Sequence, residues 1–268
     1  MRKPAVRNMI GIFDSGLGGL TALKEIHRLT PGEELIYFGD TGRVPYGTKS
    51  ADIITKYALQ DASFLMSKGV DAILVACGTV STTALSVLKN TFSVPIIGVV
   101  EPAVKAAVKA TANGKIGIIG TTATIRSGAY ERAIKSFSGD IEIFSQDCPL
   151  FVPLVESGFV GRECKITKLA CEHYLKEIRQ SGVDTLILGC THYPIIANVI
   201  AEVMPGVRLI NTGAEAAADL IGLIGKKSGK ADIHYYVSDD PGLFCSSASL
   251  FLGSDITGRV ARTDIEKF

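Results

Sequence analysis

The sequence runs to 268 residues, with 28 Lys and Arg against 27 Asp and Glu for a formal net charge of +1, and 47% of it is hydrophobic. That length can bury more than one sizeable core, so two domains of one α/β type are expected. The balanced charge and the lack of a long basic run argue against nucleic acid or an anionic membrane as the main partner, and the longest apolar runs, such as 72–77, are too short to span a bilayer. The amino-terminal stretch MRKPAVRNMIGIFDSG is basic, but its apolar part stops at Asp14, short of a secretory signal, so a cytoplasmic location is expected.

Taken along the chain, strand-like runs are predicted at 9–13, 35–38, 72–76, 95–99, 115–119, 141–144, 185–188 and 207–210, alternating with helical patterns. Several are continuous apolar runs, as strands covered on both faces require. Behind Ser50, a suitable N-cap, the residues Ile53, Ile54, Tyr57, Ala58, Phe64 and Leu65 recur at helical spacing. This alternation predicts mostly parallel sheets wrapped by helices. The tail from Lys226, which includes the run IHYYVSD, has the weakest pattern.

The chain also echoes itself. GVDAILVAC (69–77) matches GVDTLILGC (182–190), with cysteine ninth in both, and upstream IGIFDSG from Ile10 parallels IGIIGTT from Ile116. Two buried strands often share an apolar pattern, but the common GVD and the common cysteine offset favour a duplicated domain. The expected fold is therefore α/β, with two pseudo-symmetric doubly wound parallel-sheet domains and the active site in the cleft between them. Residues 1–98 and 213–268 would form the first domain and 99–212 the second. Ligands of open α/β sheets bind beyond the carboxyl ends of strands, which is where Cys77 and Cys190 fall.

Two thiols facing one ligand suggest exchange of a proton at a carbon acid. One face needs a base and the other an acid; thiolate and thiol supply both, and a free thiol titrates near enough to neutrality to be tuned either way. The other four cysteines, Cys148, Cys164, Cys171 and Cys245, form no C-x-x-C pair and read as structural or incidental, since a lone cysteine is usually a small buried hydrophobe.

DSGLGGL (14–20), VPYG (44–47), ACGTVS (76–81) and LGCTHYP (188–194) resemble, in order and spacing, the motifs of bacterial glutamate racemases, over about residues 9–212. The resemblance implies a cofactor-independent and metal-free amino-acid racemase that interconverts L- and D-glutamate for peptidoglycan synthesis, as a homodimer in the cytoplasm. It implies that Cys77 takes the proton of D-glutamate and Cys190 that of L-glutamate, with Asp14 beside Cys77 and with His192 and Glu156 on the Cys190 side. It further implies substrate contacts from Asp14, Ser15, Tyr46, Gly47, Gly78, Thr79, Thr121, Thr191 and His192. Gly78 departs from the family, which usually has asparagine there; a Gly78→Asn variant is expected to keep the fold and to change KM by a few-fold to about tenfold, as one exchanged hydrogen bond would.

Rival readings are an aspartate or hydantoin racemase with the same paired thiols, a non-catalytic carboxylate-binding protein, and a nucleotide or phosphate binder using DSGLGG. The last lacks both G-x-x-x-x-G-K-[ST] and G-x-G-x-x-G. A zinc hydrolase built on Cys190 and His192 lacks companion ligands, and no lysine stands out as a pyridoxal Schiff-base residue.

Overall fold

The computed structural model describes residues 9–268, so the basic stretch before Met9 and the first eight residues of the expected first domain lie outside the described residues. Its strands are β1 (Met9–Asp14), β2 (Glu34–Gly39), β3 (Ala72–Val75), β4 (Ile96–Gly98), β5 (Lys115–Gly120), β6 (Glu142–Asp147), β7 (Thr185–Leu188), β8 (Arg208–Asn211), β9 (Ile233–Val237) and β10 (Val260–Arg262). They form two sheets, ordered β10-β9-β2-β1-β3-β4 and β6-β5-β7-β8. Every strand pairing in them is parallel.

Alternation along the strands explains why both faces of each sheet are covered. In the first sheet Ile10, Ile12, Tyr37 and Leu74 enter one buried cluster, while Phe13, Ile36, Phe38, Ile73 and Val75 enter another on the opposite face. In the second, Ile116, Ile118 and Ile187 pack on the helix Val100–Ala110 side. Ile119, Leu186 and Leu188 join the cluster that also holds Ile12 and Leu74, so one apolar core runs between the halves.

The echo in the sequence is an echo in space. Both sheets share the order second-first-third-fourth strand of their half, and the registers agree: Ile10 pairs with Ala72 in the first and Ile116 with Thr185 in the second. GVD has a local cause. Gly69 (φ 78°) and Gly182 (φ 75°) stop the preceding helices Ala51–Ser67 and Lys165–Gln180 in the left-handed conformation that glycine adopts without strain. Asp71 then accepts from the Met9 N–H at 2.9 Å, and Asp184 from the Ala112 and Asn113 N–H groups at 2.7 and 2.8 Å, tying each returning strand to its neighbour's start.

All eight predicted strands are present, with ends shifted by at most a few residues, and Ser50 caps its helix by accepting from the Ile53 N–H at 3.4 Å. The tail differs. After β8 the chain returns through helix Thr212–Ile224 to add β9 beside β2 and β10 beside β9. Of the four remaining cysteines, Cys148, Cys171 and Cys245 are buried, but Cys164 is partly exposed at the start of helix Lys165–Gln180, not a core residue. Among the described residues no helix is long and apolar enough to cross a membrane.

Candidate active site

Each half delivers a thiol two residues past a central strand. Cys77 follows β3 and precedes helix Gly78–Thr83; Cys190 follows β7 and precedes the 3-10 turn Tyr193–Ile196. Both are nearly inaccessible, at 5% and 7% exposure. Their neighbours come from the ends of β1 and β5 and from loops of both halves.

On the first side, the Cys77 thiol donates to the Ser15 hydroxyl at 3.7 Å. Burial, with the negative charge of nearby Asp14 adding to it, pushes this thiol up to about 12, so it is protonated at neutral pH. Asp14 is itself buried and accepts from the Gly16 N–H at 3.0 Å; burial raises its carboxyl above the usual range, against the pull of His192. Ser15 and Asp14 are held by a turn that Tyr37 braces from β2, donating its hydroxyl to the Gly16 carbonyl at 2.7 Å.

On the second side, Cys190 Sγ lies 3.8 Å from His192 Nδ1, and His192 Nε2 lies 2.9 Å from Glu156 Oε1. Burial opposes a charged imidazole here, but the hydrogen bonds to Cys190 and Glu156 outweigh it and raise His192 to about 10. It is therefore an imidazolium at neutral pH. The ring packs edge-to-face on Phe251, 5.4 Å between centroids, from helix Pro241–Leu252 in the tail.

Several close contacts tie the two sides together. Thr21 donates to the Thr191 carbonyl at 3.0 Å, and a Cβ at Gly18 would lie 2.0 Å from the Thr191 hydroxyl. Thr79 and Thr121 hydroxyls pair across the halves at 3.3 Å, and Gly47 sits against Thr121 with room for a methyl at 3.4 Å. Thr121 also caps helix Thr122–Arg126 by accepting from the Thr124 N–H at 3.3 Å.

The residues singled out from the sequence thus belong to one neighbourhood. The Tyr46 side chain is turned inward, 1% exposed, and its hydroxyl is held by Asp40 and Asp61. A Cβ at Gly78 would lie 2.5 Å from the Gly189 carbonyl oxygen of the other half, so asparagine there cannot enter without a shift of backbone, which bears against the expectation that Gly78→Asn leaves the fold intact and changes only KM. Sequence reasoning missed Tyr37, Phe251 and the acidic partners of Tyr46. Tyr37 and Phe251 lie in apolar runs that only signal core. Among the described residues no group of three or more His, Cys, Asp or Glu side chains could hold a metal ion.

The family model for Asp/Glu/hydantoin racemases matches residues 10–220. A glutamate racemase of Geobacter metallireducens is 45% identical over 264 residues, 96% of this chain and 97% of the relative. The crystal structure of the Francisella tularensis glutamate racemase in complex with D-glutamate superposes with a TM-score of 0.90 at 36% identity, over 98% of this chain and 99% of that one. The aspartate racemase of Picrophilus torridus, at 20% identity and a TM-score of 0.57 over 83% of this chain and 96% of its own, shares the fold alone. Two matched half-sites, each ending a strand in a thiol, together with this kinship, establish that the chain belongs to the glutamate racemases of the Asp/Glu/hydantoin racemase family.

Proposed function

We propose that the protein interconverts L- and D-glutamate by a two-thiol proton exchange that needs neither cofactor nor metal. The observation that carries this reading is the pairing of two buried cysteines on matched half-sites with opposite electrostatic neighbours, Asp14 beside Cys77 and His192 beside Cys190. In the L-to-D direction a Cys190 thiolate, with the His192 imidazolium as counter-ion, takes the α-proton. The Cα–H electron pair is left on the substrate as a carbanion, conjugated with its carboxylate. The Cys77 S–H then delivers a proton to the opposite face, leaving Cys77 as thiolate and Cys190 as thiol. Return to the starting state needs one proton to pass from Cys190 to Cys77 by way of solvent. The D-to-L direction runs the same steps backward.

The substrate carboxylates need hydrogen-bond donors, and the backbone at Gly47, Gly78 and Thr79 with the hydroxyls of Ser15, Thr79, Thr121 and Thr191 offers them. Glu156 holds His192 from behind. Because both thiols are buried, the halves must part to admit substrate and close again for chemistry. Division at 98/99 and 212/213, with the tail completing the first half, gives such a movement two chain crossings. Kinship supports a homodimer in the cytoplasm that supplies D-glutamate for peptidoglycan synthesis.

Circular dichroism of purified protein with either enantiomer of glutamate, in chelator and without pyridoxal phosphate, tests the reading. Decay of optical activity toward zero from both sides is expected. Activity lost to chelator and regained with zinc would refute the mechanism, and a strong preference for aspartate would move the chain to the related racemase.

A further inference from the structure

A cluster outside the thiol site ties down the VPYG loop. Asp40 follows β2, Arg43 ends the 3-10 turn Thr41–Arg43, Tyr46 opens the 3-10 turn Tyr46–Thr48, and Asp61 lies inside helix Ala51–Ser67. Both aspartates are fully buried. Arg43 donates from Nε to Asp40 Oδ2 at 2.6 Å, from Nη2 to Asp61 Oδ1 at 3.0 Å and from Nη1 to Gln60 Oε1 at 2.5 Å, and it reaches the carboxyl-terminal Glu266 at 3.3 Å. Its guanidinium also stacks 4.0 Å from the Tyr57 ring centroid. The Tyr46 hydroxyl contacts Asp40 Oδ2 and, at 3.1 Å, Asp61 Oδ2.

Counting protons shows what this arrangement requires. A phenol has one hydrogen and here meets two carboxylate oxygens, so if both acids were ionised, one oxygen pair would face each other with nothing between. One acid must supply the second hydrogen. Asp40 Oδ2 already accepts from Arg43 at the shorter distance, and Asp40 Oδ1 has no hydrogen-bond partner among the described residues, so a proton on that atom would lack an acceptor there. Asp61 Oδ1 accepts from Arg43, which leaves Oδ2, aimed at Tyr46. We infer that Asp61 is a neutral carboxylic acid whose Oδ2–H donates to Tyr46, that Tyr46 in turn donates to ionised Asp40, and that this chain is the positioning device for the Gly47 substrate loop. Burial and the adjacent Asp40 charge act in the same sense, holding Asp61 well above the usual carboxylate range. Within this cluster the Arg43 cation and the ionised Asp40 then offset each other, as burial demands. Gly47, one residue beyond Tyr46, is then fixed against Thr121 of the other half. The role for the loop rests on the racemase reading; the protonation state does not.

Infrared spectroscopy of the whole protein tests the protonation state directly. The carbonyl stretch of a protonated carboxylic acid should be present at neutral pH and absent in Asp61→Asn. A spectrum in which Asp61→Asn removes no such band overturns the inference, whatever the activity. Kinetics then test the role. Asn mimics a neutral acid, donating to Tyr46 and accepting from Arg43, so Asp61→Asn should keep kcat/KM within about threefold of wild type. Asp61→Ala and Tyr46→Phe should raise KM about tenfold with a smaller change in kcat, the size of one lost hydrogen bond to a charged network. Asp40→Asn, which replaces the required anion, should be worse than Asp61→Asn in both KM and melting temperature. Equal damage from the two Asn variants would overturn the assignment. Unchanged KM in Asp61→Ala would overturn the positioning role while leaving the racemase reading intact.

Discussion

Replacing Gly78 by alanine adds one methyl at the point where the halves touch. Its Cβ would lie 2.5 Å from the Gly189 carbonyl oxygen, when ordinary contact begins at 3.4 Å, and the opposing atom is backbone that cannot swing aside. Separation of the halves by roughly an ångström is the simplest relief, and a misplacement of about 1 Å in a reacting geometry costs about a hundredfold. We therefore expect kcat/KM to fall about tenfold to a hundredfold in both directions. Overpacking of this kind costs about 1–3 kcal/mol, which lowers Tm by about 2–4 °C for each kcal/mol in a chain of this size class. The assay is circular dichroism of glutamate racemisation beside thermal unfolding, with Gly139→Ala, whose methyl meets nothing within 4 Å, as control. Wild-type kinetics and Tm in Gly78→Ala would refute the idea that this contact sets closure. Gly78→Asn meets the same clash, so activity above that of Gly78→Ala isolates any contribution of the amide to substrate binding.

The thiols give further tests. Cys77→Ala and Cys190→Ala should each abolish racemisation, and turnover in deuterated water should leave solvent deuterium at the α-carbon of the product; near wild-type racemisation by either variant contradicts the two-base scheme. With one thiol required as base and the other as acid, kcat/KM should trace a bell in pH, and a flat profile through the neutral and mildly alkaline range would count against it. Stability should fall on the alkaline side. His192, raised to about 10, contributes fully below its ordinary 6.5 and loses that contribution as pH rises through 10, while Cys77, raised to about 12, favours the unfolded chain once pH passes its ordinary 9.0. Thermal unfolding between pH 6 and 10, a range of about four units, should show a shallower decline in His192→Asn than in wild type; parallel curves would remove His192 as the source. Glu156→Gln should lower the His192 titration and move a limb of the pH–rate profile to lower pH, and an unmoved profile would show that Glu156 does not tune the imidazole.

The sequence was most readable where a residue's local job and its global job coincide. Continuous apolar strands, the helix-stopping glycines 69 and 182 and the aspartates 71 and 184 all act through the backbone beside them, and the echo they create disclosed two half-sheets and both thiols. It was least readable where partners are distant. β9 is half-exposed with mixed polar and aromatic residues, and β10 is a three-residue edge, so neither carries a clean alternation. Phe251 reaches His192 from 59 positions away, and nothing in a hydrophobic helix marks which residue will face an imidazole. Tyr46 illustrates a subtler limit. Its motif put it in the same loop as Gly47, but that its hydroxyl is held by Asp40 and Asp61 is not legible in the sequence, which offers them only as two more acids.

The duplicated frame also explains why the two directions need not be chemically equivalent. Superposing the echoed segments by register sets Asp14 opposite Gly120, Ser15 opposite Thr121, Gly78 opposite Thr191 and Thr79 opposite His192. The scaffold is repeated, but the charges are not: the acid of the first half has glycine as its counterpart, and the imidazole of the second has threonine. An anion lies next to Cys77 and raises its thiol, while a cation lies next to Cys190, so under the proposed mechanism the two half-sites suit different roles, Cys77 as acid and Cys190 as base for L-glutamate. Under that mechanism, turnover of D-glutamate needs the opposite assignment, with one proton moved between the sulfurs. In a symmetric site the two thiol/thiolate arrangements would be equally populated, and neither direction would be favoured. Acid and base together need only one proton on the pair; under the proposed mechanism the asymmetry of Asp14 and His192 biases which thiol takes which role.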